Sequence, residues 1–563
     1  MAAHILATTS KLTQSYYHTP SHRRFCGKTL SQLFDLTSDA YPQREAITYY
    51  SKDGDVKRLS FETLRRQVDR FAKGLMTLGL QKGEKLGILV GRRYEYIVVY
   101  FGATKAGLIA VRLQTLLKAD QIKYQINKVG CDMLVIDSDN LTTIRELLPE
   151  VEGVSVPCCR QPLPSVRFFI NIDAAETKGA CLALNTVFSM SSDHLKESEL
   201  QNEVQQDDPC IIVFSSGSTG KPKAIVHSHR AISECAITMA DERSAYNDDQ
   251  PGCHLCSVPC YSTALDGTMA PVVAAGDRLV LTESPDIDTL LKVIRLERCS
   301  SAMLYPLLAF EIANKKGEGV DLTSIKQAFV GGNTLQPDTL AKLRKLLTPN
   351  IIIGYGSTET IVVTLHCKGD PIDEKKWIVG RPVPHSEIKI VDDQFRTVPI
   401  NTEGEINVRS PYIFQCYLGD KELTKAVKTE SGWFKTGDAG IMLDDGRLQV
   451  LGRKDDCIIK DARNVYPSEI ERYLSGHPKV KTCLAVAVPD QKVINEICLC
   501  LVLKPETECT EEEVFEVMRE HLDEFLIPRY VLFFESFPVT DTGKIKRNEV
   551  MRMATERLHL ENR

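Results

Sequence analysis

Apolar residues in the first third of the chain follow two alternating spacings. After Ser60 they recur at steps of three and four, at Phe61, Leu64, Val68, Phe71, Leu75 and Leu78. This spacing predicts an amphipathic helix that Ser60 caps and Gly79 ends. The apolar run at 86–90 predicts a buried strand, and a second helix over 94–105 and a strand over 133–136 follow. Strands that alternate with helices are typical of parallel sheets covered by helices on both faces.

The pattern changes towards the C-terminus. Short strand-like runs at 483–488 and 497–503 alternate with helical patterns such as 511–522. Within the large lobe, residues 157–200 lack a regular pattern, which predicts long loops there. The sequence therefore predicts an α/β protein of two lobes. A large lobe, residues 25–453, has parallel-rich sheets covered by helices, and a small, mobile α+β lobe follows at 454–563.

Composition excludes several classes of partner. The 69 Lys and Arg residues stand against 75 Asp and Glu residues, a net charge of −6, so no global basic field exists for nucleic acid or an anionic membrane. No apolar run approaches the ~20 residues of a transmembrane helix. The 18 cysteines lack the spacing of a disulfide scaffold. Cys253 and Cys256, followed by Cys260, form a CxxC pattern without a second pair, which favours a buried structural role over a metal or redox site.

The N-terminal segment allows two interpretations. Residues 1–34 contain no Asp or Glu and four Lys or Arg residues. For residues 1–24 this composition fits either an import presequence or a flexible terminus. The expected location is accordingly the mitochondrial matrix or the cytoplasm.

The most informative stretch follows an apolar strand at 210–214. It has two glycines, four hydroxyls and lysines, at Ser215, Ser216, Gly217, Ser218, Thr219, Gly220, Lys221 and Lys223. Backbone N–H groups exposed by glycine, hydroxyl donors and ammonium charges suit a polyphosphate. The glycine spacing and the proline after Lys221 distinguish this loop from a Walker A motif.

Three further loops follow strand-like runs. Glu359 ends the loop after the strand at 351–353, and a carboxylate there is a candidate magnesium ligand. The loops at 330–333 and 436–438 have the same predicted geometry, at the carboxyl ends of strands, where parallel sheets bind ligands. Asp438 is a candidate acceptor for ribose hydroxyls. Lys544 follows a glycine turn far along the chain and is a candidate mobile cation delivered by the small lobe.

With these motifs in this order, the chain resembles the adenylate-forming superfamily of acyl-CoA synthetases, peptide-synthetase adenylation domains and luciferase, from about residue 25 to the end. Within it, segments 15–18, 105–107, 128–131 and 527–530 favour the medium-chain acyl-CoA ligases. The resemblance implies a two-step reaction. A carboxylic acid attacks the α-phosphate of ATP, with Mg²⁺ as cofactor, giving acyl-AMP and pyrophosphate. CoA then displaces AMP and yields the acyl-CoA.

The resemblance also assigns roles to individual residues. It implies that the loop 215–223 binds the phosphates, that Glu359 binds magnesium with help from Thr358, and that Lys544 stabilises the adenylation transition state. Other roles follow by position. They are adenine and ribose binding by Gly331, Gly332, Tyr355, Asp438 and Arg453, an acyl pocket at Tyr261, Ser262 and Gly356, a hinge at Asp456, and a CoA path along Lys460, Asp461 and Ala462.

Two departures from the family pattern bear on the substrates. Relatives usually carry a histidine where this chain has Tyr261 and Ser262, which predicts an unusual acid. Asp461 and Ala462 replace the Gly-Gly that lines the CoA path, which leaves a different acceptor open, such as a carrier-protein thiol, an amine or an oxygen. A non-catalytic nucleotide- or acyl-binding protein is the second alternative.

Overall fold

The structure, a computed structural model, describes residues 12–21, 23–153, 158–191, 203–215, 222–244, 251–331, 337–366, 369–370, 377–461, 463–474, 477–490, 494–539 and 545–560. Within these ranges, none of the helices combines the length and the apolar composition that crossing a membrane requires.

Helices and strands alternate through most of the chain. The helices are α1 (Leu30–Ala40), α2 (Phe61–Thr77), α3 (Tyr94–Lys105), α4 (Ala119–Val129), α5 (Ser138–Leu147), α6 (Leu184–Ser189), α7 (His229–Ser244), α8 (Ala264–Ala275), α9 (Ile287–Glu297), α10 (Pro306–Gly317), α11 (Pro337–Leu346), α12 (Lys421–Val427), α13 (Pro467–Glu471), α14 (Glu511–His521) and α15 (Arg547–Arg557). The strands are β1 (Tyr16–His18), β2 (Glu45–Tyr50), β3 (Val56–Ser60), β4 (Lys85–Leu89), β5 (Ile109–Arg112), β6 (Met133–Ile136), β7 (Phe168–Asn171), β8 (Cys181–Ala183), β9 (Pro209–Ser215), β10 (Lys223–Ser228), β11 (Cys253–Cys256), β12 (Arg278–Thr282), β13 (Ser301–Leu304), β14 (Gln327–Val330), β15 (Ile351–Ile352), β16 (Gly354–Tyr355), β17 (Thr364–Leu365), β18 (Arg381–Pro382), β19 (Glu387–Val391), β20 (Glu403–Arg409), β21 (Cys416–Tyr417), β22 (Phe434–Met442), β23 (Leu448–Arg453), β24 (Ile458–Lys460), β25 (Arg463–Val465), β26 (Val480–Asp490), β27 (Ile494–Leu503) and β28 (Tyr530–Phe534).

Two mixed, mostly parallel sheets form most of the large lobe. One has the strand order β21-β10-β9-β5-β4-β6-β7-β8 and the other β15-β14-β13-β11-β12-β2-β3. Apolar residues of α1, α2, α3, α7 and α8 form the largest core cluster with residues of both sheets. Helices α4 and α5 cover the other face of the first sheet, and α9 to α11 cover the other face of the second. The predicted parallel-rich sheets covered by helices are confirmed.

The predicted helix caps are present. The Ser60 hydroxyl accepts a hydrogen bond from the Thr63 N–H at 3.2 Å and so satisfies one free donor of the first turn of α2. Gly79 follows α2 with a φ of +81°, a left-handed conformation that glycine adopts without strain. The apolar stripe of α2 is buried in the core, as its spacing predicts.

A third sheet was not predicted. It is antiparallel, with the order β1-β19-β20-β22-β23. Its edge strand β1 pairs with β19, so residues 16–18, predicted as part of a flexible terminus or presequence, instead belong to the large lobe. The prediction of long loops over 157–200 was also wrong in part, because β7, β8 and α6 lie there and extend the first sheet.

The C-terminal part has its own sheet and core. Strand β26 pairs antiparallel with β27, which pairs parallel with β28, and α13 to α15 pack against this sheet. The proposed boundary at 453/454 falls where β23 ends.

Candidate active site

The turn that carries Glu359 follows β16 and is closed by its own hydrogen bonds. The Ile361 N–H donates to the Ser357 carbonyl at 2.9 Å, and the Ser357 N–H donates to the Thr360 hydroxyl at 2.9 Å. Gly356 lies beside this turn, and a Cβ there would come within 2.3 Å of the Ile361 carbonyl oxygen. Gly356, predicted for the acyl pocket, is therefore also required by the fold of the turn.

The segment 414–417, which ends in β21 of the first sheet, holds this turn in place. The Phe414 N–H donates to the Glu359 carbonyl at 2.7 Å, and the Tyr417 hydroxyl donates to Glu359 Oε1 at 2.9 Å. The Lys223 ammonium lies 5.3 Å from the centroid of the Tyr417 ring. Tyr417 thus contacts both the lysine at the end of the predicted phosphate loop and the predicted magnesium ligand.

The Glu359 carboxylate has oxygen atoms available to bind Mg²⁺. The hydrogen bond from Tyr417 uses one carboxylate oxygen and leaves acceptor sites on both. Within the described ranges, no group of three or more His, Cys, Asp or Glu residues is placed to hold a metal ion. A single carboxylate still suits Mg²⁺, because proteins often bind this ion with one or two carboxylates together with substrate phosphates.

His227 of β10 fixes the residue before Glu359. Its Nε2 lies 2.7 Å from the Thr358 carbonyl oxygen. Because a carbonyl only accepts, Nε2 carries the proton and donates. Burial lowers the pKa of His227 to about 4, so the ring is neutral at physiological pH. His227 therefore acts as a fixed donor that positions Thr358.

A second set of side chains surrounds Asp438. The Tyr355 hydroxyl donates to Asp438 Oδ2, and Arg453 Nε lies 3.0 Å from Oδ1. Arg453 also donates to the Thr436 carbonyl at 2.9 Å. Burial raises the pKa of Asp438, and the positive charge of Arg453 opposes that shift. Burial and the charge of Asp438 raise the pKa of Tyr355, so its hydroxyl stays protonated.

The position of Asp438 corrects one prediction. Residues 436–438 were expected in a loop at the end of a parallel strand. They lie inside β22 of the antiparallel sheet, at an irregularity where Gly437 has a φ of +72°. This bulge turns the Asp438 carboxylate towards Tyr355. Charge links the two sets, because the negative charge of Glu359 also raises the pKa of Asp438.

Tyr261 and Ser262, two of the predicted acyl-pocket residues, lie in the turn after β11. The Ser262 hydroxyl donates to the Pro259 carbonyl at 3.0 Å, and the Ser262 carbonyl accepts from Arg112 at 3.0 Å. Arg112 forms a fully buried, two-point ion pair with Asp266, at 2.5 and 2.9 Å. This pair anchors the turn, and burial raises the pKa of its half-buried Tyr261.

The CxxC cysteines point to opposite faces of β11. Cys253 packs with the core on the α9–α11 side, and Cys256 packs with the core between the two large sheets. Alternation along a strand produces this arrangement, and it prevents the two thiols from binding one metal ion. The buried structural role is the one that the geometry supports.

The residues assigned to the small lobe lie close to β24. Asp456 Oδ2 is 3.6 Å from Arg547 Nε. Lys460 Nζ is 2.7 Å from Glu496 Oε1 and donates to the Phe525 carbonyl at 3.0 Å. Asp461 has a φ of +47°, a left-handed conformation that favours glycine.

Several predicted residues lie outside the described part of the chain. These are Ser216, Gly217, Ser218, Thr219, Gly220, Lys221, Gly332, Ala462 and Lys544. Of the two ends of the phosphate loop, Ser215 ends β9 and Lys223 begins β10, and the two are paired. Gly331 follows β14, and its N–H donates to the Leu304 carbonyl at 3.2 Å.

Comparison with protein families decides the affiliation. Residues 34–418 match the AMP-binding enzyme family, and residues 469–544 match the AMP-binding enzyme C-terminal domain. The chain belongs to the AMP-binding enzyme family. The predicted affiliation to acyl-CoA synthetases and the prediction of an enzyme are confirmed with it.

Curated relatives of this AMP-binding enzyme span nearly its whole length. The mitochondrial medium-chain acyl-CoA ligase ACSF2 of Danio rerio is 30% identical over 98% of this chain and 92% of its own. Its counterpart in Homo sapiens is 28% identical over 97% of this chain and 91% of its own.

Solved structures share the fold of the AMP-binding enzyme. The anthranilate CoA ligase AuaEII in complex with anthranoyl-AMP has a TM-score of 0.80 and 23% identity, over 94% of this chain and 98% of its own. The amide bond synthetase McbA of Marinactinospora thermotolerans has a TM-score of 0.78 and 25% identity, over 93% and 99%.

Four residues in and around this site were not predicted. Tyr417 and His227 position the turn of Glu359, and Arg112 with Asp266 positions the turn of Ser262. The only signal in the sequence is a charged or polar residue within an apolar segment, as for Arg112 at the end of β5 and His227 within β10.

Proposed function

We propose that the protein activates a medium-chain fatty acid with ATP and transfers the acyl group to CoA. The acid and ATP give acyl-AMP and pyrophosphate, and CoA then gives the acyl-CoA and AMP. The names of the full-length relatives support this acid and this acceptor. The observation that carries the proposal is one turn that has Tyr355, hydrogen-bonded to Asp438, just before it and Glu359, hydrogen-bonded to Tyr417, within it.

In the first step, binding and orientation would fall to the following residues. The two oxygens of Asp438 would accept from the ribose hydroxyls, and Tyr355 would lie against the adenine. Lys223 would offset charge on the phosphates, and Mg²⁺ held by Glu359 would supply further positive charge there. When the carboxylate attacks the α-phosphorus, negative charge develops on the α-phosphoryl oxygens. Lys544 would meet that charge in the transition state.

The second step would follow rotation of the small lobe about Asp456. The contact between Asp456 and Arg547 would then change, and Lys544 would withdraw. Lys460, Asp461 and Ala462 would line the path of the thiol. Mitochondrial relatives support a matrix location, and the cytoplasm is the alternative.

One observation favours a different acceptor as the second candidate. Asp461 holds a left-handed conformation in which glycine is favoured, and it places a negative charge at the predicted thiol path. An amine acceptor, as the name of the amide bond synthetase indicates for that relative, would not need a pantetheine path.

Acid-dependent exchange of labelled pyrophosphate into ATP tests the proposal, across short, medium, long, branched and aromatic acids. We expect exchange to peak with medium-chain acids and thioester and AMP to form when CoA is added. Exchange without thioester would exclude CoA in favour of another acceptor. Binding of ATP without exchange for any acid would exclude adenylation and indicate a binding protein.

A further inference from the structure

Arg243 is a charged residue at a core position of α7. The buried apolar residues Ile232, Cys235 and Met239 of this helix recur at steps of three and four. Arg243 lies four positions after Met239, where this spacing predicts an apolar side chain. It is 1% exposed. Burial lowers the pKa of Arg243 to about 10, so it is still charged at physiological pH.

The partners of Arg243 leave much of its guanidinium unused. One terminal nitrogen lies 3.3 Å from His254 Nδ1, and the guanidinium lies 4.2 Å from the centroid of the Phe329 ring. His254 Nε2 donates to Asp277 Oδ2 at 2.7 Å, so Nδ1 accepts from Arg243 and the ring is neutral. Nε and the second terminal nitrogen of Arg243 have no hydrogen-bond partner in the described part of the chain.

Two orphaned polar atoms face the same space. His254, Ser301 and Gln327 are aligned across β11, β13 and β14, and all three are fully buried. Residues in register on neighbouring parallel strands point to one face, and Gln327 Nε2 donates to the Arg243 carbonyl at 3.3 Å. The Ser301 hydroxyl and Gln327 Oε1 lack a partner among the residues that the structure describes. Native proteins rarely leave such a group unsatisfied.

The polar row lies on the same face of the sheet as a row of apolar residues nearer the carboxyl ends of the strands. The next row on the same face, two residues on, is apolar and consists of Cys256, Met303 and Phe329. The strands then lead to Gly331 and to the turn of Ser262. Gln327 and Gly331 are four positions apart, about 13 Å at the rise of a β-strand. An acyl chain lying under α7 would cross an apolar band and end at a cation.

We propose that the acid substrate is an α,ω-dicarboxylic acid of medium length and that Arg243 binds its distal carboxylate. The inference rests on the proposed function and names its substrate class. A guanidinium with two unused nitrogens matches the two oxygens of a carboxylate. Ser301 and the Gln327 amide would complete the hydrogen bonds, and Cys256, Met303 and Phe329 would contact the methylene chain.

The test compares acids that differ only at the far end. Pyrophosphate exchange is measured for octanedioic, decanedioic and dodecanedioic acids, each against the monocarboxylic acid of the same length. We expect the diacid to exceed its partner in kcat/KM by about 10- to 100-fold at one length or more, the effect of hydrogen bonds to a charged group. A preference of the wild-type protein for the monocarboxylic acid at every length would overturn the inference and leave adenylation intact. No exchange with any acid would overturn the proposed function as well.

Variants assign the effect to Arg243. Arg243→Met should abolish the preference for diacids and retain exchange with the monocarboxylic acids. Arg230→Met is the matched control, because Arg230 lies on the same helix and pairs with Asp207 at the surface, at 2.7 Å. Arg230→Met should keep the wild-type ratio of kcat/KM for the diacid to kcat/KM for the monocarboxylic acid. A folded Arg243→Met protein that retains the preference would refute the role of Arg243. Should that variant not fold, the wild-type comparison decides.

Discussion

Asp438→Asn is the sharpest test of the proposed nucleotide site. A carboxylate has about four lone-pair sites. In the structure Tyr355 occupies one on Oδ2 and Arg453 one on Oδ1. One site remains on each oxygen, which matches the two hydroxyls of a ribose. Asparagine has one carbonyl oxygen, which Tyr355 retains, and its amide would face the Arg453 donor, so the pair of acceptors for the diol is lost.

The magnitude follows from these contacts. A hydrogen bond to a charged group contributes about 1.5–3 kcal/mol, so Asp438→Asn should raise KM for ATP roughly 10- to 150-fold. Removing the 2′-hydroxyl from ATP should weaken the wild-type enzyme by a similar factor. In Asp438→Asn, removing the 2′-hydroxyl should change KM little, because the carboxylate oxygen that accepts from this hydroxyl is already absent.

The assay is pyrophosphate exchange with ATP and 2′-deoxyATP for both proteins. Glu387→Gln is the control, because Glu387 accepts from Tyr16 at 2.7 Å and from Arg409 at 2.7 Å in the same antiparallel sheet. This variant has the same chemistry away from the site and should behave as wild type. An equal penalty for 2′-deoxyATP in the wild type and in Asp438→Asn would refute the assignment of Asp438 to the ribose.

Further outcomes test the other assignments. Lys544→Ala should abolish adenylation but spare conversion of a supplied acyl-adenylate to the thioester, and wild-type adenylation would remove Lys544 from the mechanism. Asp461→Gly should speed the CoA-dependent step, and an unchanged or slower step would show that the Asp461 side chain does not obstruct the thiol path. The same change should raise the free energy of unfolding by up to about 1 kcal/mol, because glycine adopts the left-handed conformation of Asp461 without strain. Burial lowers the pKa of both His227 and His229 from about 6.5 to about 4. Their neutral forms stabilise the fold fully above pH 6.5, and each should lose about 3 kcal/mol as pH falls to 4. Urea unfolding of His227→Gln at pH 7.5 and 5 should show a weaker pH dependence than wild type, and an equal dependence would contradict the assignment.

Local patterns in the sequence predicted much of the large lobe. The helix over 94–105 and the strand over 133–136 have the bounds that their apolar runs indicate. Ser60 caps α2 because a hydroxyl at that position satisfies a free N–H locally. The strand-like run and the small residues after it also indicated the turn that follows Tyr355 and carries Glu359.

Contacts between distant segments escaped prediction. Arg112 and Asp266 are 154 positions apart, and His227 and Thr358 are 131 apart. No local spacing encodes such a pair, since only the packing of distant strands, helices and turns brings the two residues together. The bulge at Asp438 was missed for a related reason. A strand and a loop with one glycine have similar sequences, and only pairing with β20 and β23 distinguishes them.

The central claim is that the acid attacks the α-phosphate of ATP. The most direct measurement supplies an acid labelled with a heavy oxygen isotope in its carboxylate, together with ATP and CoA, and analyses the products by mass spectrometry. We predict one labelled oxygen in AMP for each thioester formed, because the acyl–oxygen bond of acyl-AMP breaks in the second step. Unlabelled AMP, or label in orthophosphate together with ADP, would contradict the adenylate mechanism.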